Sequence, residues 1–303
     1  MSMRLSESGR RVPRPFSPAG RRRGASPAVP ALLAAITCST TLAARAQFSD
    51  QAPGRAPRAA APGAWKAPPD AVSPDRLDRI SRRYLGVPYR LDCLGEGTGP
   101  DPDPIARPDC VDCQTYVEQV MAEALSTSLS EFAVRIRRLR YRNGIVRLEN
   151  RYHYCDPDWL QSPWPVRDIT GRLHAPLRVD RRRIDLPHFL ASRGTDAALS
   201  PIRAQDVQTG YLPRASAMRE ANRLPHGAIA LFVLDRPDIV AGHLGFLFRK
   251  EGVVILRHAS QTRKKVVEEP LRTYLMRAPK RFIGMKILQP DIAGLQRKEM
   301  PLP

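Results

Sequence analysis

The 303-residue sequence is poor in the residues that mark several protein classes. Aromatic residues make up only 6% of the chain, histidines number six, and we find no internal repeat. Among the five cysteines there is one Cys-x-x-Cys pair, Cys110 and Cys113, with no second pair to complete a zinc site. The basic residues are scattered and mostly arginine, with few aromatic side chains to stack on bases. These shortages argue against a repeat protein, a zinc-finger protein and a nucleic-acid binder.

Positive charge and proline are plentiful instead. Lysine and arginine number 49 against 30 aspartates and glutamates, which gives a net charge of +19, and there are 30 prolines. A basic surface attracts polyanions of any kind, so an anionic wall polymer suits it as well as nucleic acid does. The prolines are too many for an evenly folded chain. We therefore expect one domain of roughly 200 residues with unfolded extensions, although the length also allows two small domains.

The first 46 residues have the organisation of an export signal. Basic residues continue up to Arg23, small and apolar residues follow at 25–44, and an Ala-Arg-Ala cleavage segment ends at Ala46. We expect cleavage before Gln47 and an extracytoplasmic protein, in the periplasm or cell envelope. The loss of eight arginines and one glutamate lowers the net charge to +12.

Other interpretations of this segment are a disordered basic tail on a cytosolic protein, a transmembrane anchor and a lipid anchor. A transmembrane anchor needs a longer and more apolar run than residues 25–44. A lipid anchor at Cys38 needs a better lipoprotein cleavage box than the preceding Ala-Ile-Thr. We therefore expect that the protein is exported and that it is not stably inserted in a membrane once the signal is removed.

The remainder is predicted to contain a linker, one folded domain and a tail. Residues 47–72 are mainly Ala, Pro, Gly and Arg and predict a disordered linker. The folded domain is expected at 73–290, and a C-terminal tail at 291–303.

Three helices are predicted in the first part of the domain. Ser73 is an N-cap with Pro74 at the first helical position, a second helix begins near Cys113, and Ser128-x-x-Glu131 is a capping pattern for a third. Their apolar faces are Leu77, Ile80, Tyr84 and Leu85; Cys113, Tyr116, Val117, Val120 and Ala124; and Leu129, Phe132, Ile136 and Leu139.

The last part of the domain predicts strands. Apolar or β-branched runs at 228–234, 243–248, 253–258 and 264–268 are separated by turns and predict an antiparallel meander. The aromatic and proline-rich residues 141–225 predict ordered loops and short strands that cover a site. The fold class is therefore α+β, with N-terminal helices packed on a C-terminal antiparallel β-sheet.

The candidate nucleophile is a cysteine at a helix start. Export leaves Cys93, Cys110, Cys113 and Cys155, and of these Cys113 lies where the free N–H groups and dipole of a helix lower the pKa of a thiol. Cys110 also follows an aspartate, so local sequence alone does not separate the two, although Cys110 lies one turn earlier, in the loop. The alternative is that these thiols form disulfides or half of a zinc or redox site.

A nucleophilic thiol needs a base, and His243 and His258 are the candidates. If the two-residue hairpin loop begins at Lys250, the histidines pair directly; if it begins one residue later, His258 pairs with Gly245, diagonal to His243. Either register puts both imidazoles on one face of the sheet, because side chains alternate along a strand. One ring can then act as the base while the other holds its tautomer, although a chance histidine on a strand is more often structural.

Four motifs, in order and spacing, resemble the NlpC-type cell-wall cysteine peptidase superfamily of papain-like fold. They are YLGVPY at 84–89, DCQTYVE at 112–118, GHLGF at 242–246 and RHAS at 257–260. The closer resemblance is to the superfamily's N-acetylmuramoyl-L-alanine amidase-like branch, which has an Asp-Cys-x-Thr-aromatic-Val-Glu helix start and a segment like that at 136–160. In that segment, the residues at the positions that match the branch are Arg151, His153, Tyr154 and Trp159. The resemblance covers roughly residues 73–290.

This resemblance implies a cysteine amidase that cleaves the N-acetylmuramoyl-L-alanine bond of peptidoglycan or a muropeptide. It makes Cys113 the nucleophile, His243 the base and His258 the third, orienting residue, and it assigns to Tyr89 a position beside the nucleophile, where a tyrosine helps to hold the oxyanion. No cofactor, no metal and no nucleic-acid partner are implied, and the oligomeric state is not predicted.

Two other functions stay open. The D-glutamyl-diaminopimelate bond is also cut within the superfamily, and a non-catalytic wall- or polyanion-binding protein can retain the fold. Binding alone does not require Cys113, His243 and His258 together, so their joint presence favours an enzyme.

Two cysteines are additions to the superfamily's pattern. We interpret Cys93 and Cys110 as a disulfide that closes the Gly/Pro/Asp loop between them and contributes about 3 kcal/mol in an oxidising compartment. Cys155 is then expected to be a free, buried thiol.

Overall fold

A computed structural model describes the protein over residues 73–91, 93, 106–192, 194 and 203–291. The predicted signal at 1–46, the linker at 47–72 and all of the tail after residue 291 lie outside the described residues. Those three assignments therefore stay predictions.

Helices come mainly first and strands mainly last, in agreement with the predicted mixed fold. The helices are α1 (Pro74–Arg82), α2 (Cys113–Ala124), α3 (Leu129–Arg140), α4 (Leu186–Ser192), α5 (Arg214–Glu220) and α6 (Leu271–Arg277). The strands are β1 (Val166–Asp168), β2 (Arg178–Ile184), β3 (Gln205–Pro213), β4 (Ala228–Leu234), β5 (Ala241–Lys250), β6 (Val253–Ser260), β7 (Lys265–Pro270) and β8 (Phe282–Pro290).

The second helix begins at Cys113 because the preceding residue is a strong N-cap. The Asp112 carboxylate accepts a hydrogen bond from the N–H of Thr115 at 2.7 Å, and the Thr115 hydroxyl accepts one from the N–H of Asp112 at 2.8 Å. Every residue from Thr115 to Ala124 is buried, because α2 packs against α1, α3, β5 and β6. The helix that carries the candidate nucleophile is thus the centre of the helical layer.

The two predicted caps, at the starts of α1 and α3, also form. The Ser73 hydroxyl accepts from the N–H of Arg76, and the Ser128 hydroxyl accepts from the N–H of Glu131, each at 3.2 Å. The Glu131 carboxylate binds the N–H of Thr127 at 2.7 Å, one residue before the cap.

Two residues predicted to lie on buried helix faces are exposed instead. Leu85 is 38% exposed, because α1 ends at Arg82 and the chain leaves the helical path before it. Leu129 is 51% exposed, because it is the first residue of α3 and precedes the turns that pack on the core.

The middle of the chain contains more regular structure than was predicted. Residues 141–225 include the strands β2 and β3, which pair antiparallel from Arg178 opposite Tyr211 to Ile184 opposite Gln205. Strand β2 reads RVDRRRI and lacks the apolar alternation that signals a strand, because it lies at the edge of the sheet and only part of it is buried. Hydrogen bonding to β3, a tertiary effect, determines its conformation.

The predicted meander is confirmed as β4–β5–β6–β7, but the sheet is larger. Its order is β2-β3-β8-β4-β5-β6-β7, with β1 paired to β8, and all pairings between the described strands are antiparallel. Strand β8 was not predicted. It lies between β3 and β4, which makes β4 a central strand and explains why AIALFVL is apolar on both faces.

The hairpin between β5 and β6 takes the second of the two predicted registers. Glu251 and Gly252 form the loop, with φ of 48° and 78°, and Lys250 lies opposite Val253. Two successive residues with positive φ are what a tight hairpin turn requires, and glycine adopts that conformation without strain. His258 consequently lies next to Gly245, diagonal to His243.

Separate apolar clusters cover the two faces of the sheet. The helical layer α1–α3 packs on one face through residues such as Tyr116, Val120 and Phe246. Helices α5 and α6 pack on the other face around Phe232 and Leu256. The strands that carry the candidate histidines therefore have helices packed on both faces of the sheet.

Candidate active site

The start of α2 packs against β5, the strand that carries the first candidate histidine. The backbone groups of Cys113, Gln114 and, in β5, Leu244 lie close enough to the Cys113 sulfur to lower the pKa of its thiol. Leu244 precedes the part of β5 that is paired with β6, which begins at Phe246. The start of α2 therefore meets β5 beside His243.

The thiol of Cys113 is not acidic in the free protein. Burial and the neighbouring Asp112 carboxylate raise its pKa to about 12, and the three backbone donors offset this only in part. The expectation that the helix start lowers this pKa is wrong as a net effect, because removal from water outweighs the helix dipole. Cys113 is therefore a neutral thiol at pH 7 until a partner accepts its proton.

His243 and His258 form the pair that the hairpin predicts. His243 Nε2 lies 2.7 Å from His258 Nδ1, and the ring planes are inclined at 80°. His258 is 2% exposed, whereas His243 is only partly buried. The hydrogen bond to His258 occupies Nε2 of His243 and leaves its Nδ1 for other chemistry.

The pair continues into a carboxylate that the sequence reasoning missed. Glu269, in β7, places Oε1 3.1 Å from His258 Nε2, and its Oε2 forms an ion pair with Arg277 at the end of α6. A signal for it was present: in the β6–β7 hairpin, His258 lies opposite Val267, so Glu269 is diagonal to His258 on the same face. The site is thus a line of three side chains, His243, His258 and Glu269, and Arg277 binds Glu269 at the end farthest from His243.

Both imidazoles are neutral at pH 7. Burial, followed by the positive charges of Arg277 and Arg263, lowers the pKa of His258 to about 3. Burial and the proximity of His258 lower the pKa of His243 well below its usual range. A neutral imidazole has one N–H and one lone pair, so His243 can accept a proton from a thiol.

Two aromatic rings that were not predicted as site residues enclose the histidines. Tyr274 of α6 lies 6.0 Å from the His243 ring and 5.2 Å from the His258 ring, measured between centroids, and Phe232 lies 5.7 Å from the His243 ring. Burial and, secondly, Cys113 raise the pKa of the Tyr274 hydroxyl. These rings pack against the histidine pair from α6 and β4.

Tyr89 lies close to the start of α2. It forms a parallel bridge with Val111, two residues before Cys113, and its N–H donates to the carbonyl of Lys264 at 2.9 Å. Its side chain is partly buried against the core of the helical layer. The backbone of Tyr89 therefore pairs with the segment that leads into α2, and the role of its hydroxyl beside Cys113 stays a prediction.

A second polar network lies on the other side of the nucleophile. Gln114 donates to Glu118 at 3.0 Å and to the carbonyl of Tyr152 at 2.6 Å, and Glu118 accepts from Arg140 at 2.6 Å. Glu118 and Arg140 are completely buried. Burial raises the pKa of Glu118 despite Arg140 and Arg151.

The residues of the 136–160 segment that carry the resemblance form part of the scaffold around this network. Arg151 is buried, the Trp159 ring stacks on Trp164 at 3.8 Å, and a His153 ring nitrogen lies 2.8 Å from the carbonyl of Leu148. The N–H of Tyr154 donates to Asp158 at 3.0 Å.

Two of the cysteine predictions are confirmed, the disulfide and the free thiol of Cys155. Cys93 and Cys110 form a disulfide, and Cys155 is a free, buried thiol 3.4 Å from Oε1 of Gln114. The disulfide ends one residue before Val111 and holds the chain that leads into α2. Because Cys110 is bonded to Cys93, it does not form a two-cysteine zinc half-site with Cys113.

Within residues 73–91, 93, 106–192, 194 and 203–291, no cluster of three or more His, Cys, Asp or Glu side chains is arranged to hold a metal ion. Over the same residues, no helix has the length and apolar character needed to span a bilayer.

The chain belongs to the AmiA-like family, described as N-acetylmuramoyl-L-alanine amidase-like, which it matches over residues 79–285. That stretch includes Tyr89, Cys113, His243, His258 and Glu269. Comparison with curated proteins finds no significant match.

Solved structures share the fold. A Legionella pneumophila protein superposes with a TM-score of 0.63 at 24% identity, over 71% of this chain and 88% of that one. An N-acetylmuramoyl-L-alanine amidase from Bacteroides uniformis superposes with a TM-score of 0.58 at 27% identity, over 71% of this chain and 98% of that one.

Proposed function

We propose that this protein is a peptidoglycan hydrolase that uses Cys113 to cleave the amide bond between N-acetylmuramic acid and L-alanine. The family to which the chain belongs and the amidase from Bacteroides uniformis support the substrate class. The observation that carries the mechanism is the line from His243 through His258 to Glu269, which begins beside the helix start at Cys113. We also assign the domain to the NlpC-type superfamily of papain-like fold.

The first step in this proposal is a proton transfer that substrate binding couples to attack. Neither the Cys113 thiol nor the His243 ring ionises alone at pH 7, because removal from water raises the pKa of the thiol and lowers the pKa of the imidazole. Together they form a thiolate–imidazolium pair in which each charge stabilises the other. The thiol proton passes to Nδ1 of His243 as the sulfur forms a bond with the carbonyl carbon of the lactyl group.

The tetrahedral intermediate then collapses to an acyl-enzyme. Its oxyanion accepts hydrogen bonds from the N–H of Cys113 and from Tyr89, the role that we assign to this tyrosine. The C–N bond breaks, the proton on His243 moves to the departing amine of L-alanine, and the carbonyl re-forms as a thioester. Water attacks the thioester with His243 as base, which releases the free carboxylate and restores the thiol.

The charge of the chain and its leader sequence suit an envelope location. We propose that residues 1–46 direct export and that the remaining +12 charge favours contact with an anionic wall polymer. N-terminal sequencing of protein recovered outside the cytoplasm should give Gln47 as the first residue. An intact chain confined to the cytoplasm would contradict this part of the proposal.

The decisive experiment identifies the bond by mass. Muropeptides of known structure are incubated with the purified protein, and we expect a free peptide that begins with L-alanine together with a saccharide that has a free lactyl carboxylate. Cleavage after D-glutamate would instead establish the endopeptidase alternative. Binding of peptidoglycan without any cleavage would indicate the non-catalytic alternative.

The matched control for this experiment is Cys155, the second free thiol among the residues that the structure describes. Cys155→Ala removes a buried thiol close to the site and should retain cleavage, whereas Cys113→Ala should lose it. Equal activity of the two variants would contradict the assignment of Cys113.

A further inference from the structure

Glu269 has both carboxylate oxygens engaged at the end of the histidine line. It is 7% exposed, with Oε1 3.1 Å from His258 Nε2 and Oε2 in the ion pair with Arg277. A guanidinium can only donate hydrogen bonds, so Arg277 holds Glu269 as a carboxylate that accepts on both oxygens.

This arrangement determines the direction of every hydrogen bond in the line. Because Glu269 only accepts, His258 must carry its proton on Nε2 and present a lone pair at Nδ1. His243 must then donate from Nε2 to that lone pair across the 2.7 Å contact. The neutral His243 ring therefore has its lone pair at Nδ1, the nitrogen that the line leaves unused.

The His258 ring has little room to escape this constraint. It is 2% exposed, Tyr274 packs against it at 5.2 Å, and a Cβ on Gly245 would lie only 2.7 Å from the His258 Cβ. Gly245 therefore allows β5 to approach His258 closely, and the ring cannot turn over without displacing its neighbours.

We propose that Glu269 is a positioning residue that sets the tautomer of His243 through His258, and that Arg277 enforces this setting. The inference rests on the proposed function of Cys113 and His243, although Glu269 itself contacts neither the thiol nor the substrate. Without the carboxylate, the lone pair of His243 can lie at Nε2, and the ring then offers the thiol an N–H instead of a base.

The ion pair with Arg277 makes Glu269→Gln a sharp test, because the arginine should make this conservative substitution reduce activity. In Glu269→Gln, the amide oxygen should face Arg277, so the NH₂ group faces His258. His258 must then accept at Nε2 and donate from Nδ1, and His243 becomes protonated on Nδ1. We expect kcat to fall by about 100-fold with little change in KM, the usual contribution of a general base.

Removal of Arg277 from this variant should restore the original direction of the hydrogen bonds along the line. In the Glu269→Gln/Arg277→Met double variant, nothing prevents the amide from turning its oxygen to His258, and we expect at least a tenfold recovery of kcat over the single variant. Arg277→Met alone is the matched control. Its kcat should fall less than that of Glu269→Gln, because Glu269 without Arg277 is still a carboxylate that accepts from His258.

Two readouts test the inference without any substrate. Nitrogen-15 NMR of the six histidines should show His243 protonated on Nε2 in the wild type and on Nδ1 in Glu269→Gln. Alkylation of Cys113 by iodoacetamide, followed by peptide mass mapping to distinguish it from Cys155, should slow at least tenfold in Glu269→Gln. The double variant should recover on both readouts.

The outcomes separate the inference from the proposed function. An unchanged tautomer in a folded Glu269→Gln, or no recovery in the double variant, would overturn the inference even if Cys113 is the nucleophile. A wild type that shows the tautomer effects but does not cleave any muropeptide would overturn the proposed function alone. If Glu269→Gln does not fold, Glu269→Ala replaces it, and a wild-type alkylation rate in that variant would refute the inference.

Discussion

Two buried polar networks meet the first turns of α2, and they differ in how they end. The network of Gln114, Glu118 and Arg140 is closed, because Gln114 donates to Glu118 and to the carbonyl of Tyr152, and Glu118 accepts from Arg140 in the buried interior. The line of His243, His258 and Glu269 is open, because its last ring is partly exposed and has one nitrogen outside the line. A closed network holds a scaffold in place, whereas an open one can deliver a proton.

The comparison predicts that the open network controls activity. Cys113→Ala should reduce hydrolysis by at least about 10⁴-fold, and His243→Ala should be nearly as damaging, because residues that act as a unit are not additive. Measured kcat values for both variants and for their combination test this, with melting temperatures to verify folding. A combined loss equal to the product of the two single losses would show that the residues act independently.

The closed network should instead control stability. Glu118→Ala leaves the buried Arg140 guanidinium without its closest carboxylate and should lower the free energy of unfolding by about 3–5 kcal/mol. Urea denaturation measures the effect, and Glu118→Gln, which keeps the shape without the charge, is the control. If Glu118→Ala is as stable as the wild type but inactive, the division between the two networks is wrong.

The Cys93–Cys110 disulfide is predicted to contribute to stability, as the closed network does, and not to catalysis. Cys110→Ala opens a link between residues 17 positions apart and should cost about 3 kcal/mol with little loss of kcat per folded molecule. Denaturation of oxidised wild type, reduced wild type and the variant gives the comparison. A large loss of kcat in a folded Cys110→Ala would return Cys110 to the list of candidate nucleophiles.

His258 tests the middle of the open line. His258→Ala should lower kcat by about 100-fold, less than the loss from His243→Ala, because an orienting group fixes only the tautomer and position of the base. Parallel measurements of kcat and KM on the two variants decide the order. Equal losses would mean that His258 does more than orient.

The open network should make the stability of the protein sensitive to mild acid, through His258. The pKa of His258 is lowered to about 3 in the folded protein, against about 6.5 when unfolded. Above pH 6.5 the His258 ring is neutral in both the folded and the unfolded protein, so it does not change the free energy of unfolding. Between pH 6.5 and the folded pKa, only the unfolded protein binds a proton, so the free energy of unfolding decreases by up to about 1.4 kcal/mol for each unit that the pH falls. Urea titrations at pH 7.5, 6.5 and 5.5 should show a steeper decline in wild type than in His258→Gln. Identical slopes would contradict a neutral, buried His258.

Local sequence was sufficient wherever one residue type determines the structure. The predicted N-caps at Ser73 and Ser128 lie where their side chains bind the free N–H groups, so these two helix starts were predictable. The β5–β6 hairpin was predictable to one of two registers, because side chains alternate along a strand. The shared face of His243 and His258 followed from that alternation.

Strand β8 and the pairing of β2 with β3 were not predictable in this way. Each depends on a partner distant in sequence, and the largely charged β2 has no apolar pattern of its own. Glu269 was missed for a related reason, since its importance depends on lying diagonal to His258 in a hairpin and beside Arg277 of α6.

The sequence by itself determined the helix starts, the meander, the cysteine at the start of α2 and the shared sheet face of His243 and His258, because these depend on spacing along a few neighbouring residues. Only the tertiary structure decided the protonation of the site. Burial between two layers raises the pKa of Cys113 to about 12 and keeps His258 neutral, against the expectation from the helix start alone. Removal from water depends on everything packed around a group, so no local pattern reveals it.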